Sequence, residues 1–495
     1  MYTANSSAVD VLYLHPFPLG QAQACAGAAA DQPLFPLVPM GVVGLCNLLR
    51  DQGHRVRGLN LPVEHMMAPG AALRERLASG PVPGLVLMDL HWHEHALGAV
   101  ELAAMARCLW PDAFVLLGGL TASAFAVELL ALCPAVDAVL WGDAERPLVA
   151  LAHALGAGAR EAPSGLPNLV TRRAPDPPRW VAGPADMDAQ DGVDLGFLAH
   201  ASAYRRLLHS HPRRPGGVSV LGAEGHWLSN GRGCEHACGS CGGGRGAHRV
   251  LAGRRGPVWR DPAAVAEDLA RLRGLGVRQV ALGLDPDMAG AAHRDVCLGD
   301  TQGLGLYLES FQLPSTGLLD RLTSGCDLDH SELAITALSG DPALRGRHGK
   351  GFDDPALLAA LDALLERGLS ASLFFSVGLP GESGAAFEAT LGLAQRVLDR
   401  DRRGLLRLAA LPLALDPCAP MGLSPEAWGL EPTDAGDLAA RLARGQGLAD
   451  GSIHPLSPRA LGYAVPGCDL PQRAARWNVL ASEAPAGAII PVPGI

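Results

Sequence analysis

Short apolar runs alternate with amphipathic helical stretches along most of the 495 residues. Such alternation commits a chain to right-handed βαβ units, that is, to parallel sheets covered by helices. The series opens with VDVLYL at 9–14 and the helical pattern PMGVVGLCNLLRDQGH, closed by Gly53. It continues with LVLMDL at 85–90, a helix at 98–109, FVLLGG at 114–119, a helix near 123–132 and AVDAVLWGDAE at 135–145. Residues 1–155 are therefore expected to form an open, Rossmann-like α/β domain. Ligands of such sheets bind at the carboxyl ends of the strands, so loops 15–20, 89–95, 118–123 and 142–146 should share one face.

Residues 156–215 are rich in Pro, Gly, Ala and Arg without a sustained period, which predicts a linker. A second series follows: GVSVL at 217–221, VRQVALGL at 277–284, LGLYLESF at 304–311, ELAITAL at 332–338, ASLFFSVG at 371–378 and LLRLAALP at 405–412. Helical stretches such as DPAAVAEDLARLRGLG and DDPALLAALDALLERG separate them, each opened by Asp and closed by Gly. The repetition predicts a partial (β/α)6 TIM-type barrel over 216–415, followed by a small C-terminal region, 416–495, with one or two short helices.

Composition narrows the class. With 48% hydrophobic and 18% charged residues the chain is globular rather than disordered. Forty basic against fifty acidic residues give 40 − 50 = −10, which argues against a nucleic-acid binder relying on overall charge. No run approaches 18 apolar residues and the first residues lack a secretory pattern, so a cytoplasmic protein without a membrane span is expected. Most of the eleven cysteines stand apart, but Cys234, Cys238 and Cys241 fall within eight residues. In a reducing compartment such a group holds metal more readily than it forms disulfides.

The segment GRGCEHACGSCGGG sets three thiols at C-x3-C-x2-C on a loop after a strand, where a βα barrel keeps its chemistry. An iron–sulfur cube usually takes four cysteines, so three leave one iron open to an outside ligand. A zinc site completed by His236 or His248 is the alternative. The loop resembles that of the radical S-adenosylmethionine superfamily. GLPGES at 378–383 and RGRHGKGF at 345–352 are similar to further segments of that superfamily, although Ser240 stands where an aromatic residue is usual. The first unit resembles the cobalamin-binding domain of one of its subfamilies, through PMGVVGLCNLLRDQGHRV at 39–56, DLHWH at 89–93, LLGGLTAS at 116–123 and VDAVLWGDAE at 136–145. The Asp-x-His-x-x-Gly motif that supplies a lower axial histidine in many cobalamin proteins is replaced by YLHPFPLG, and Asp89 stands where Ser is frequent.

The resemblance implies a 4Fe-4S cluster on Cys234, Cys238 and Cys241, S-adenosyl-L-methionine as its ligand, and cobalamin on the first unit. Leu90, His91 and Trp92 are expected as cofactor-facing wall, and Gly118 and Gly119 as the point where a flat macrocycle or its nucleotide tail nears the backbone. Thr121, Gly142, Gly242, Gly243, Ser339, Arg345, Lys350 and Gly378 complete the expected cofactor contacts, Arg345 and Lys350 by pairing with a carboxylate. Alternation on 304–311 sets Leu304, Leu306 and Leu308 on one face and Tyr307, Glu309 and Phe311 on the other; either the leucines face the barrel lumen, or Tyr307 and Glu309 do and serve to bind S-adenosylmethionine or move a proton. His91, His93 and His95 offer an alternative metal set, and Cys418 is read as a spare thiol. The basic run RGAHRVLAGRRGPVWR at 245–260 is read as a solvated face or as attracting a small acidic substrate. The activity implied is methyl transfer from methylcobalamin to a substrate carbon, the substrate being a small molecule or a peptide and the electron donor a flavodoxin or ferredoxin. Rearrangement or cyclisation with the same cofactors is the second expectation, and a zinc-bearing binding module the third.

Overall fold

The computed structural model describes residues 8–18, 34–69, 72–214, 222–432 and 436–493. The first sheet has the order β2-β1-β3-β4-β5-β6, with β1 Asp10–His15, β2 Arg55–Asn60, β3 Leu85–Asp89, β4 Phe114–Gly118, β5 Ala138–Leu140 and β6 Leu169–Thr171. All neighbours are parallel except β5 and β6. Alternate residues supply two cores. Leu12, Leu14, Val86, Met88, Val115 and Leu117 join one, and Val11, Tyr13, Leu85, Leu87 and Leu116 join the other. A sheet buried on both faces needs apolar residues at every position, which is why these strands read as continuous runs. Part of the expected linker is structured: β6 extends the first sheet, and Gly58 donates its amide to the Phe197 carbonyl and accepts from the Ala199 amide.

The second sheet is parallel throughout, in the order β17-β14-β13-β12-β11-β10-β7. Its strands are β7 Gly225–Leu228, β10 Gln279–Leu282, β11 Gly305–Ser310, β12 Glu332–Leu338, β13 Ser370–Ser376, β14 Leu406–Leu411 and β17 Ile489–Ile490. Both β7 and β17 are edges, so the barrel is open. The strand expected at 217–221 lies outside the described residues, and β7 takes its place ahead of the cysteine loop. The C-terminal region does more than expected, since it adds β17 to the edge of β14 and carries helices at Leu438–Ala449 and Leu470–Glu483. Two small antiparallel ribbons complete the strands, β8 Gly231–Arg232 with β9 Val258–Trp259 and β15 Glu431–Pro432 with β16 Tyr463–Ala464. The expected Asp caps are present: Asp261 accepts from the Ala263 amide and Asp353 from the Ala356 amide. Among the described residues no helix is long and apolar enough to cross a membrane.

The two units are locked by charge. Asp143 and Glu145, just beyond β5, receive Arg232 at 2.7 and 2.5 Å, and Arg254 also pairs with Asp143. Asp143 and Glu145 are each 2% exposed and Arg254 is 5% exposed. The Ala182 amide and Gln190 Nε2 supply further donors to the two carboxylates. Gly142 lets the units close. At φ +81°, a Cβ there would lie 2.9 Å from the Leu251 carbonyl, on the helix Arg245–Ala252 that follows the cysteine loop. Removing one partner of a buried pair leaves uncompensated charge, which costs about 3–5 kcal/mol. Asp143→Ala should lower stability by that order, read as a fall in the urea midpoint, whereas Asp112→Ala at an exposed pair should leave it nearly unchanged.

Candidate functional site

One cavity of ≈ 430 Å³ joins the carboxyl ends of the first sheet to the cysteine loop. His91, Trp92, Gly118, Gly119 and Gly142 line it from one side, and Trp227, Cys234, Cys241, Gly243, His248 and Phe311 from the other. That size falls within the range of small-molecule sites, about 300–1,000 Å³. A wider depression at the opposite ends of β1 and β2 is lined by Asp10, Arg50, Arg55 and Asp194, whose charges already pair with one another.

The first-sheet wall is built by a backbone clamp. Gly119 has φ +114°, and a Cβ there would stand 2.7 Å from the Leu90 carbonyl and 2.8 Å from His91 Cα. Its missing side chain therefore serves the approach of two loops, and Gly118 and Gly119 also line the cavity. Thr121 is 1% exposed and fixes the same loop, donating its amide and its hydroxyl to the His91 carbonyl. Leu90 departs from expectation as well: it is fully buried in the sheet core and turns away from the cavity. His91 and Trp92 do face the cavity, and burial pushes the His91 imidazole down to about 4, so it is neutral near pH 7. Beneath them Asp89 accepts from the Tyr13 hydroxyl at 2.6 Å and meets His15 Nδ1 at 3.0 Å, while His15 Nε2 meets the Phe35 carbonyl at 3.2 Å. His15 thus belongs to a buried polar network.

On the cysteine loop the His236 amide donates to Cys234 Sγ and the Gly243 amide to Cys241 Sγ, each at 3.3 Å. Burial pushes the Cys241 thiol up to about 12 and raises Cys234 too. Lys350 lies against this loop. Its neighbour Gly349 at φ +90° sits where a Cβ would be 3.2 Å from Cys238 Sγ. Burial lowers the Lys350 ammonium, and the nearby Cys238, Glu309, Cys234 and Cys241 hold it up, while its Nζ donates to the Phe311 carbonyl at 2.7 Å. Three thiols, amide donors to sulfur and an adjacent ammonium suit a thiolate-ligated iron–sulfur centre, whose negative charge the lysine offsets. Among the described residues no three His, Cys, Asp or Glu side chains stand at metal-holding distances.

The lumen of the barrel carries the acid and the phenol expected there. Leu306 and Leu308 are buried in the core, while Glu309 is open to solvent and Tyr307 partly so. The neighbouring protein raises Glu309 by desolvation, opposed by Lys350 and by a hydrogen bond from Tyr307. Other expected contacts are structural. Arg345 is fully buried and donates to the carbonyls of Ala337, Ser339 and Phe352 and to Asp354, so its guanidinium ties a loop and has no room for a ligand carboxylate. Ser339 is equally buried and hydrogen-bonds Thr390 and the Asp341 amide. Gly378, φ +77°, donates its amide to Glu382 and packs on Leu470, and Gly242 packs on Asp416 and Pro417. Gly243 and Gly142 do reach the cavity.

Sequence reasoning passed over a polar cluster beside Gly242. Asp416 accepts the Gly242 amide at 2.9 Å, and His93 Nε2 stands 3.5 Å from Asp416 and 3.3 Å from Glu94. His93 and His95 therefore do not join His91 as a ligand set: His93 meets carboxylates and His95 packs among His15, Phe35 and Trp92. Cys418 is half-buried with φ +60° on the same segment as Asp416. Trp428 also comes from the C-terminal region, covering Gly239 and lying 5.0 Å from the His348 ring. The one sequence signal for this arrangement is the density of chemistry-bearing residues in LDPCAP.

Residues 28–152 match the B12 binding domain family. Among curated proteins no match to the sequence was found. Two solved structures of the radical S-adenosylmethionine methyltransferase TsrM from Kitasatospora setae, one with cobalamin and a [4Fe-4S] cluster and one with tryptophan and a S-adenosylmethionine analogue, are 18% identical. They match over 86% of this chain and 77% and 79% of theirs, with TM-scores of 0.61 and 0.63. The chain has the fold of the cobalamin-dependent radical S-adenosylmethionine enzymes. OxsB, another of them, matches at 12% identity over 79% of this chain and 52% of its own, with a TM-score of 0.55. The N-terminal unit is thus a B12-binding domain, and the cavity lies between it and the cysteine loop.

Although its side chain is 49% exposed, desolvation by the surrounding protein, then the nearby Asp416, raises the Glu94 carboxyl to about 7 from an ordinary 4.5, against its own backbone hydrogen bond and the Arg441 and Arg444 charges. A carboxyl raised on folding holds its proton more tightly in the native state, so its stabilising effect is complete below pH 4.5 and lost as pH rises through 7. The stability of wild type relative to Glu94→Gln should therefore fall between those pH values, which parallel urea titrations will read.

Proposed function

We propose that this protein is a cobalamin-dependent radical S-adenosylmethionine methyltransferase that places a methyl group on a substrate carbon. One observation carries the reading: a single cavity is walled by the B12-binding unit on one side and by a three-thiol loop on the other. Separate binding modules would not need a shared wall. When bound, the cluster with S-adenosylmethionine supplies radical generation and cobalamin supplies the methyl group.

The chain's own residues hold, orient and shield. Cys234, Cys238 and Cys241 supply the three thiolates, and Lys350 offsets their charge. His91 and Trp92, set by the Gly119 and Thr121 clamp, form the corrinoid wall. Cavity surfaces of Leu45, Leu87, Leu116, Leu120, Leu140 and Leu148 keep water out. Tyr307 and Glu309 present a hydroxyl donor and a carboxylate to the lumen, where Glu309 binds an ammonium group or accepts a proton and Tyr307 keeps its own. The aromatic and apolar lining suits a substrate with a flat or apolar body, as the tryptophan-bound TsrM structure illustrates for that protein.

Anaerobically purified protein should carry about four irons and about one cobalt per chain. Cys238→Ala should lose the iron and keep the cobalt. Zinc alone would overturn the reading. Glu309→Gln and Tyr307→Phe should retain iron while turnover falls by about 10²–10⁴-fold. The product of a labelled-methyl incubation should gain one methyl in place of hydrogen; a product of unchanged mass would mean rearrangement instead.

A further inference from the structure

The structure assigns a docking surface for an acidic one-electron-donor protein to Arg245 and Arg249 on the helix Arg245–Ala252 together with Arg255 just beyond its end; the assignment rests on the iron–sulfur reading above. The basic run 245–260 divides in two. Arg254 and Arg260 are buried, paired with Asp143 and Asp268, and hold the fold together. Arg245, Arg249 and Arg255 are exposed and make no ion pair among the described residues. Arg245 and Arg249 stand four residues apart and share one helix face. The opposite face, Ala247, Leu251 and Ala252, is buried against the B12-binding unit at Gly142.

The position gives this patch its meaning. The helix starts four residues after Cys241, and the Arg245 amide donates to the His236 carbonyl inside the cysteine loop at 2.8 Å. A partner seated on these arginines therefore stands next to the thiols that hold the cluster. Charge selects the partner: the chain carries a net −10, so an acidic protein is repelled by most of the surface and steered to this face. Glu235 is the one acidic side chain of the loop itself. Val250, 53% exposed between the arginines, adds an apolar contact of the kind protein interfaces use. A nucleic-acid strand fits less well, because the face lacks an exposed aromatic platform and Trp259 is engaged with His293. In the step served, one electron leaves the reduced flavin or iron–sulfur centre of the partner and enters the cluster, so the partner is oxidised and the cluster reduced by one electron each.

The test uses the full chain carrying its iron–sulfur cluster and an acidic flavodoxin in its fully reduced form. Cluster bleaching is followed by stopped flow for wild type and for R245E/R249E/R255E, with dithionite as a small reductant in parallel. The triple variant should be reduced by flavodoxin about tenfold or more slowly than wild type and by dithionite at the wild-type rate, and the wild-type flavodoxin rate should fall with added salt. Equal flavodoxin rates for the two proteins would overturn the assignment, as would a variant slowed equally with both reductants, which would mark the arginines as supports of the loop. A wild-type protein that shows no bleaching even with dithionite would overturn the iron–sulfur reading itself, and the docking surface with it. Arg249→Gln, a milder change, should show the same selectivity to a lesser degree if the triple variant folds poorly.

Discussion

The structure depends on a carboxylate shared between two guanidinium groups. Asp143, at the tip of the B12-binding sheet, holds Arg232 and Arg254, which bracket the cysteine loop along the chain. Arg232 precedes Cys234 by two residues, so the ion pairs that fix the relative placement of the two units also anchor the start of the cysteine loop. The Ala182 amide adds a donor to Asp143 and Gln190 adds one to Glu145, and a buried polar network of this kind rigidifies what surrounds it. The cavity is a product of that rigidity.

Much of this was legible in the sequence, for identifiable reasons. Parallel strands buried on both faces announce themselves as unbroken apolar runs, and β10 to β14 fell where those runs stand. Helix starts were marked by Asp residues whose carboxylates do cap. The alternation of 304–311 separated Leu306 and Leu308 from Tyr307 and Glu309, because period-two burial is a property of the strand itself, but left open which set faces the lumen. Failures came where function depended on distant partners. Arg345 looked available because RGRHGKGF at 345–352 resembles a basic segment of the superfamily, whereas its acceptors are backbone carbonyls and Asp354 that only the fold brings round it. Leu90 looked like cofactor wall by adjacency to His91, yet successive residues leaving a strand point opposite ways. A short strand, β7, was missed because GHWL has one aliphatic residue in four and lacks the signature of a buried run.

The site itself mixes contributions in a way that motif reading cannot follow. The thiols arrive from one loop, their neighbouring ammonium from the stretch after β12, and the carboxylate that holds Gly242 from the segment after β14. Asp416, Trp428 and the helix Leu438–Ala449 come from the C-terminal region, which reaches across to the B12-binding unit near Phe125 and Leu97. That region therefore acts as a brace between the units, although by composition it reads as a loose Pro-rich and Gly-rich tail.

The shared wall of the cavity carries a thermodynamic consequence. His91 and Trp92 belong to one unit and Cys241, Gly243 and His248 to the other, and a buried ion-pair cluster sets the gap between them. A ligand that changes the width of this gap on one side alters what the other side can hold. The two binding free energies are then linked, and linkage is reciprocal: whatever factor a bound corrinoid imposes on affinity at the thiol loop, occupation of that loop imposes on the corrinoid. Order of assembly would thus change the path to the loaded protein without changing its final stability.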